Sequence, residues 1–321
     1  MHSTEAGREL ISIPTSAHGL KFCDTLEIDY AAQRLYAGDN WAGGVDVFDV
    51  STTRAEYLKT IRARGTFYGV AVASELQKVF VGMNGGNVIV IDTNPSSATA
   101  DTIVARIELG GRGNADLIDY DPDHRKVYIA NRNDGFMTAI DAEANAVVRR
   151  IDGLGGALEQ PRHNPADGMV YLSGNADNVL YQIDTTRDEL VNTFEIGEPC
   201  HPNGLAINPA TQKAVLANSG RNTHCVVWDL EVRKLDAVVD ETGGGDGIVY
   251  DPVADRFFFA AAGFRDGPVI GIFDGAGGFL GNVPTARLAS WVAYDRAHGL
   301  LYAPTVVEGL PALLALPLPA A

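Results

Sequence analysis

The stretch Asn203-Gly-Leu-Ala-Ile-Asn-Pro-Ala-Thr-Gln-Lys-Ala-Val-Leu-Ala217 decides the fold, because its phrase returns along the whole chain. It reads as a short apolar strand, an Asn-Pro turn and a second apolar strand, since apolar runs bounded by Gly, Pro and Asn mark strands joined by tight turns. The first strand and turn recur as Asp116-Leu-Ile-Asp-Tyr-Asp-Pro122 and Asp246-Gly-Ile-Val-Tyr-Asp-Pro252. The second strand recurs as Arg34-Leu-Tyr-Ala-Gly38, Lys78-Val-Phe-Val-Gly82, Lys126-Val-Tyr-Ile-Ala130, Met169-Val-Tyr-Leu-Ser173, Arg256-Phe-Phe-Phe-Ala260 and Gly299-Leu-Leu-Tyr-Ala303. A third strand ends at Asp49, Asp92, Asp141, Asp184, Asp229 and Asp274, and a fourth follows, as in Asp101-Thr-Ile-Val-Ala-Arg-Ile-Glu108.

The residues just before each first strand are Asp24, Tyr68, Asp116, Glu159, Asn203, Asp246 and Ser290, at intervals of 44, 48, 43, 44, 43 and 44. The long interval absorbs the insertion Pro95-Ser-Ser-Ala-Thr-Ala100. Repeats of ~40–50 residues with four strands each are the signature of propeller blades. The expected fold is all-β: a seven-bladed β-propeller of four-stranded antiparallel blades, one domain over residues 1–321, without helices. The seventh repeat stops after its third strand, Leu313-Leu-Ala-Leu316, while Arg8-Glu-Leu-Ile-Ser-Ile-Pro14 belongs to no repeat. Residues 8–13 are therefore expected to complete the last blade as its outer strand, closing the ring and covering an edge that would invite aggregation. The alternative is a disordered leader before residue 14.

The chain carries 41 Asp+Glu against 25 Lys+Arg, a net charge of −16, which argues against nucleic acid or an anionic membrane surface as partner. No run approaches the ~18 apolar residues of a membrane helix, and the opening residues lack a basic-then-apolar signal pattern, so the expectation is cytoplasmic. Three cysteines, Cys23, Cys200 and Cys225, without a CxxC pair, describe neither a disulfide framework nor a thiolate zinc site. There is no GxSxG, HExxH, P-loop or Rossmann glycine pattern, and no organic cofactor is expected. The partner class is a small-molecule substrate, for a monomer or weak homo-oligomer.

In this blade order each first strand starts near the axis on one face, the top. Asp24, Asp116, Glu159, Asn203 and Asp246 therefore converge there, and four carboxyl groups around one axis repel each other unless a cation or protons intervene. Oxygen-only ligands suit Ca²⁺, Mg²⁺ or Mn²⁺. A water-filled polar channel is the other reading, because polar residues before strands also cap turns. The turns between second and third strands return to the same face and bring Arg132, Arg221 and Arg265, which can stabilise a developing negative charge or simply pair with neighbouring Asp residues. His201, two residues before Asn203, is the candidate general acid/base, with His18 and His224 next. His163 lies deeper, in the inner strand of the fourth repeat, and His124 and His298 fall in bottom turns. Trp41, Tyr68, Phe264 and Trp291 flank the entrance as pocket walls or as packing between blades. Glu27, Asp119 and Arg162 share one inner-strand position and form a charged layer in the channel.

The run Cys200-His-Pro-Asn-Gly-Leu-Ala-Ile-Asn-Pro-Ala-Thr-Gln-Lys-Ala-Val-Leu-Ala-Asn218 resembles the YVTN-type propeller repeat, as does Arg125-Lys-Val-Tyr-Ile-Ala-Asn131 followed by Met137-Thr-Ala-Ile-Asp141. The likeness covers nearly the whole chain and implies the fold, whereas function is carried by sites placed on it. Gluconolactonase and streptogramin lyase propellers are similar in design, with a metal on the axis and substrate above it. In the gluconolactonase type the metal is held by a Glu/Asn/Asp set, which Glu159, Asn203 and Asp246 match in kind. Their signatures do not run through this chain, so the likeness extends only to the logic of the site. Two functions follow as expectations. One is a metal-dependent enzyme, with lactone or ester hydrolysis ahead of lyase or isomerase chemistry. The other is a non-catalytic propeller that binds a ligand or protein on its top face.

Overall fold

The computed structural model describes residues 2–5, 8–12, 23–40, 43–218 and 224–319. The chain forms seven antiparallel sheets arranged as the blades of a ring. The inner strands are Cys23–Asp29, Phe67–Ala73, Ala115–Asp121, Leu158–Asn164, Leu205–Asn208, Ile248–Asp251 and Ala293–Asp295, for blades I to VII in turn. Each packs beside the next, and the last meets the first, which closes the circle. One short 3₁₀ turn, Ser74–Leu76, is the single helical element among the described residues.

Blade VII carries the closure expected of the N-terminal segment. Arg8–Ser12 pairs antiparallel with Leu310–Pro317, Leu10 opposite Leu314 and Ile11 opposite Leu313. A further strand, His2–Glu5, pairs outside it and makes this sheet five-stranded, a feature no repeat predicted.

Burial explains the pattern of residue types. Second strands such as Lys126–Asn131 are buried after their first residue, because both faces of a blade pack on neighbouring blades. Outer strands such as Thr102–Glu108 alternate toward solvent. The buried apolar side chains fall into seven clusters, one at each seam between adjacent blades. The recurrent aspartates are largely turn caps. Asp29, Asp121, Asp251 and Asp295 each accept amide hydrogen bonds from the turn after the inner strand. Asp49, Asp141, Asp184 and Asp274 do the same after the third strand. Much of the acidity is thus spent on satisfying backbone donors rather than on a ligand.

At the top, inner and second strands of blades I to IV lose their regular register between Cys23 and Leu26, Phe67 and Val70, Ala115 and Ile118, and Leu158 and Pro161. Asp24, Tyr68, Asp116 and Glu159 lie inside those irregular steps, released from the ladder. Gly69 and Gly204 each follow such an axial residue, and a Cβ there would sit 2.6 Å from the Asp116 carbonyl and 2.0 Å from the Asp246 carbonyl. Only glycine lets adjacent inner strands approach this closely.

Candidate functional site at the axial mouth

The top of the ring opens into a cavity of about 300 Å³ lined by Asp24, Tyr68, Asp116, Glu159, Asn203 and Asp246 together with Arg132 and Trp291. All five residues expected around the axis are therefore in one wall, drawn from blades I, III, IV, V and VI. Asn40 and Asn114 also line it, and no pattern in the sequence singles them out.

Glu159 is the centre of its polar network and is only 2% exposed. Arg132 Nη1 lies 2.6 Å from Glu159 Oε1 and 3.4 Å from Asp116 Oδ2. Asn203 Nδ2 donates to Glu159 Oε1 at 3.0 Å, and Asn175 Nδ2 donates to Asn203 Oδ1 at 3.0 Å. Burial pushes the Glu159 carboxyl well above the usual carboxylate range; Arg132 opposes this, while Asp116, Asp246 and Asp24 reinforce it. Burial disfavours the charge on Arg132, but Glu159, Asp116 and Asp246 outweigh it and hold the guanidinium protonated more firmly than usual. The sequence left the relief of the carboxylate repulsion to a metal, protons or water. The structure supplies two contributors from the chain itself: a guanidinium and a buried carboxyl that favours its proton.

Other expected site residues stand away from this wall. His201 is exposed, in the left-handed region at φ 48°, and its Nδ1 lies 2.8 Å from the Asn175 carbonyl oxygen. A carbonyl only accepts, so Nδ1 carries the proton and Nε2 is the basic nitrogen. His224 Nε2 is 4.0 Å from Glu198 Oε1 and makes no hydrogen bond. Arg265 is 54% exposed, 3.8 Å from Asp266 and 5.4 Å from the Phe264 ring. Phe264 is buried in the seam between blades V and VI instead of walling the entrance. Tyr68 and Trp291 do line the mouth, and Trp291 also packs in the seam between blades VII and I. His18, Trp41 and Arg221 lie outside the described residues.

Below the mouth, a second chamber of about 200 Å³ contains Glu27, Asp119 and Arg162, the expected charged layer. Arg162 Nη1 lies 3.0 Å from Asp119 Oδ1, and its Nε donates to the Leu205 carbonyl at 3.0 Å. Burial pushes Glu27 up to about 8, with Asp119 adding to the shift and Arg162 opposing it.

A group that could hold a metal ion lies on the face opposite the mouth. Among the described residues, three acidic or histidine ligand atoms come within 4.8 Å of one another at Asp121, Asp123 and His163, at the bottom ends of the inner strands of blades III and IV.

No protein-family model and no curated protein matches the chain. Among solved structures it is similar to "Kuenenia stuttgartiensis Hydrazine Synthase", with a TM-score of 0.75 and 14% identity over 94% of this chain and 97% of that one. At that identity the likeness shows the β-propeller fold alone. The propeller expected from the YVTN-type phrases is present, whereas membership of that family or of the gluconolactonases is not matched. No helix among the described residues is long and apolar enough to cross a membrane.

Proposed function

We propose that this propeller is a binding protein whose axial mouth takes a small organic cation, an ammonium group being the recognised part. The observation that carries the reading is the composition of one wall: four carboxyl groups and one guanidinium, with Tyr68 and Trp291 beside them. Even with Glu159 protonated, two more carboxylates than cations line the cavity among the described residues. Low-dielectric walls focus such a field and raise the local concentration of cations. Aromatic faces add cation–π attraction of about 0.5–2 kcal/mol. The metal-dependent lactonase reading has less support, because no described histidine lines the mouth and Arg132 already neutralises part of the ring. A second reading keeps an enzyme: the buried Glu159 carboxyl beside Asp116 is the kind of displaced acid that serves as a proton donor.

Titration calorimetry of the purified protein with tetramethylammonium, putrescine, acetate, CaCl₂ and MnCl₂ tests the proposal. Ammonium probes should bind with a Kd below about 1 mM, and binding should weaken as salt is raised because exposed charges are screened beyond ~10 Å at 0.1 M. Binding of the divalent ions alone, lost in Glu159→Gln but kept in Asp123→Ala, would return the axial metal to the lead. Preference for acetate, or no heat with any probe, would overturn the reading.

A further inference from the structure

Comparison of the repeats with one another exposes a second site, independent of the mouth. In the turn after the inner strand, the position of Asp123 is Ala31, Glu75, Ala166, Ala210, Val253 and Ala297 in the other blades. One residue before the end of the inner strand, the position of His163 is Ile28, Val72, Tyr120, Ile207, Tyr250 and Tyr294. The first position carries a carboxylate in blades II and III and the second a histidine in blade IV; Glu75 of blade II meets the Tyr120 hydroxyl of blade III, whereas Asp123 of blade III faces His163 of blade IV.

His163 Nε2 lies 3.4 Å from Asp121 Oδ1 and 3.9 Å from Asp123 Oδ2. The His163 side chain is 4% exposed, and its Nε2 makes no hydrogen bond. A buried ring nitrogen left so, aimed at two carboxylates, calls for an explanation. The spacing supplies one. Nitrogen and oxygen ligands held ~2.1 Å from a tetrahedral metal stand ~3.4 Å apart, which is the His163–Asp121 separation. All three ligand atoms lie within 4.8 Å of one another, and Asp123, 59% exposed, is free to swing closer.

The surroundings fix the two inner ligands. Asp121 Oδ1 accepts the amides of Asp123 at 2.9 Å and His124 at 3.2 Å, and Oδ2 takes the His124 Nδ1 proton at 2.9 Å. The His163 amide donates to Asp119 Oδ2 at 2.6 Å, which holds its strand against blade III. Such outer contacts orient first ligands at metal sites. Blade VII serves as an internal contrast: Asp295 and His298 repeat the Asp121–His124 contact at 2.7 Å, with Ala297 where Asp123 stands.

We propose that Asp121, Asp123 and His163 bind one divalent transition-metal ion of the zinc class, clamping blade III to blade IV on the face opposite the mouth. One imidazole with two carboxylates favours such an ion over Ca²⁺ or Mg²⁺, which take oxygen-only shells. The ion would leave at least one coordination position to solvent.

The test is calorimetry and thermal melting of chelator-treated protein with ZnCl₂, MnCl₂ and CaCl₂, for wild type, His163→Gln, Asp123→Ala and the control His298→Gln. Expected is one Zn²⁺ per chain, a melting temperature that rises with Zn²⁺, and unchanged binding in the control. Loss of one ligand should weaken binding at least as much as the 10–100-fold typical of losing an outer-shell partner. Asp123→Ala keeps the test valid should His163→Gln fail to fold, since Asp123 is at the surface. Wild-type protein that binds no Zn²⁺, or Zn²⁺ binding unchanged in Asp123→Ala, overturns the proposal, as does Ca²⁺ binding as tightly as Zn²⁺. None of these outcomes bears on the mouth, whose residues are untouched.

Discussion

Replacing Arg132 with Met tests whether the mouth is organised around a guanidinium. Removing one partner of a fully buried pair costs about 3–5 kcal/mol, because the remaining charge is left uncompensated. Glu159 is buried, but 34% of the Arg132 side chain reaches solvent; screening lowers the expected cost to about 1–3 kcal/mol. With ~2.1 cal/mol/K of unfolding entropy per residue, each kcal/mol moves Tm of a chain this long by ~1.5 °C. The expected loss is thus about 2–4 °C where Glu159 is ionised, at the high end of the pH range, and less where it holds its proton. The sign of its pH dependence follows from Glu159. Its folded pKa is raised, so stability is greatest below the unfolded value and falls as pH rises through the folded one. Arg132 is the cation that opposes the rise, so its removal extends that fall to higher pH. The variant should therefore lose little against wild type at pH 5 and more at pH 8. Adding Glu159→Gln should recover most of the loss. Thermal melts of the four proteins at pH 5, 6.5 and 8 measure this. Losses that add to within ~0.5 kcal/mol in the double variant, or that are equal at pH 5 and 8, would refute the coupling.

In the lower chamber, Glu27→Gln should gain stability over wild type as pH rises from about 4.5 to about 8, because the folded protein holds a proton there that the unfolded chain releases; a pH-independent offset in melting would contradict this. Removing residues 1–12 leaves Leu310–Pro317 as an open edge and takes Ile11 out of the seam with blade I. Light scattering should then show aggregation at concentrations where the full chain is monodisperse, and an equally monodisperse truncated protein would argue against the closure.

The blades and their closure were legible because each repeat is a complete local instruction: apolar period, Asp-capped turn, return strand. The mouth was legible for the same reason, since a fixed place in a repeat becomes a fixed place around an axis. What escaped depends on where long side chains reach or on contacts across a seam. Arg132 was placed on the correct face, but its reach to Glu159 in the next blade is a matter of conformation, not spacing. His201 was placed by its neighbour Asn203, yet a left-handed backbone and the Asn175 carbonyl hold its ring on the exposed rim. Phe264 follows a strand as an entrance residue does, but it turns into the seam. The Asp121–Asp123–His163 group hides in the most ordinary part of the repeat, the Asp-Pro turn, and becomes visible only when blades III and IV are set side by side.

The distribution of charge around the mouth gives the ligand proposal a direction. The guanidinium comes from blade III and is engaged with Asp116 of its own blade and Glu159 of blade IV. Asp246, Trp291 and Asp24 come from blades VI, VII and I, consecutive positions across the ring. On the proposed reading, a cation entering the cavity is repelled by the Arg132 guanidinium and favoured on the side of Asp246, Trp291 and Asp24. The two carboxylates Asp246 and Asp116 should then be unequal in binding although both line the cavity. Unit charges ~4 Å apart interact by about 1 kcal/mol in water and about 4 kcal/mol at an effective dielectric of 20. Since 1.4 kcal/mol is tenfold in affinity, Asp246→Asn should weaken ammonium binding by roughly tenfold. Asp116→Asn removes a charge that Arg132, 3.4 Å away, offsets more strongly than it does that of Asp246, and it should change affinity by about twofold or less. Calorimetry on the two variants decides the matter. Equal losses would place the cation at the centre of the ring, and a larger loss in Asp116→Asn would put it on the side of Arg132, against the electrostatics on which the proposal is built.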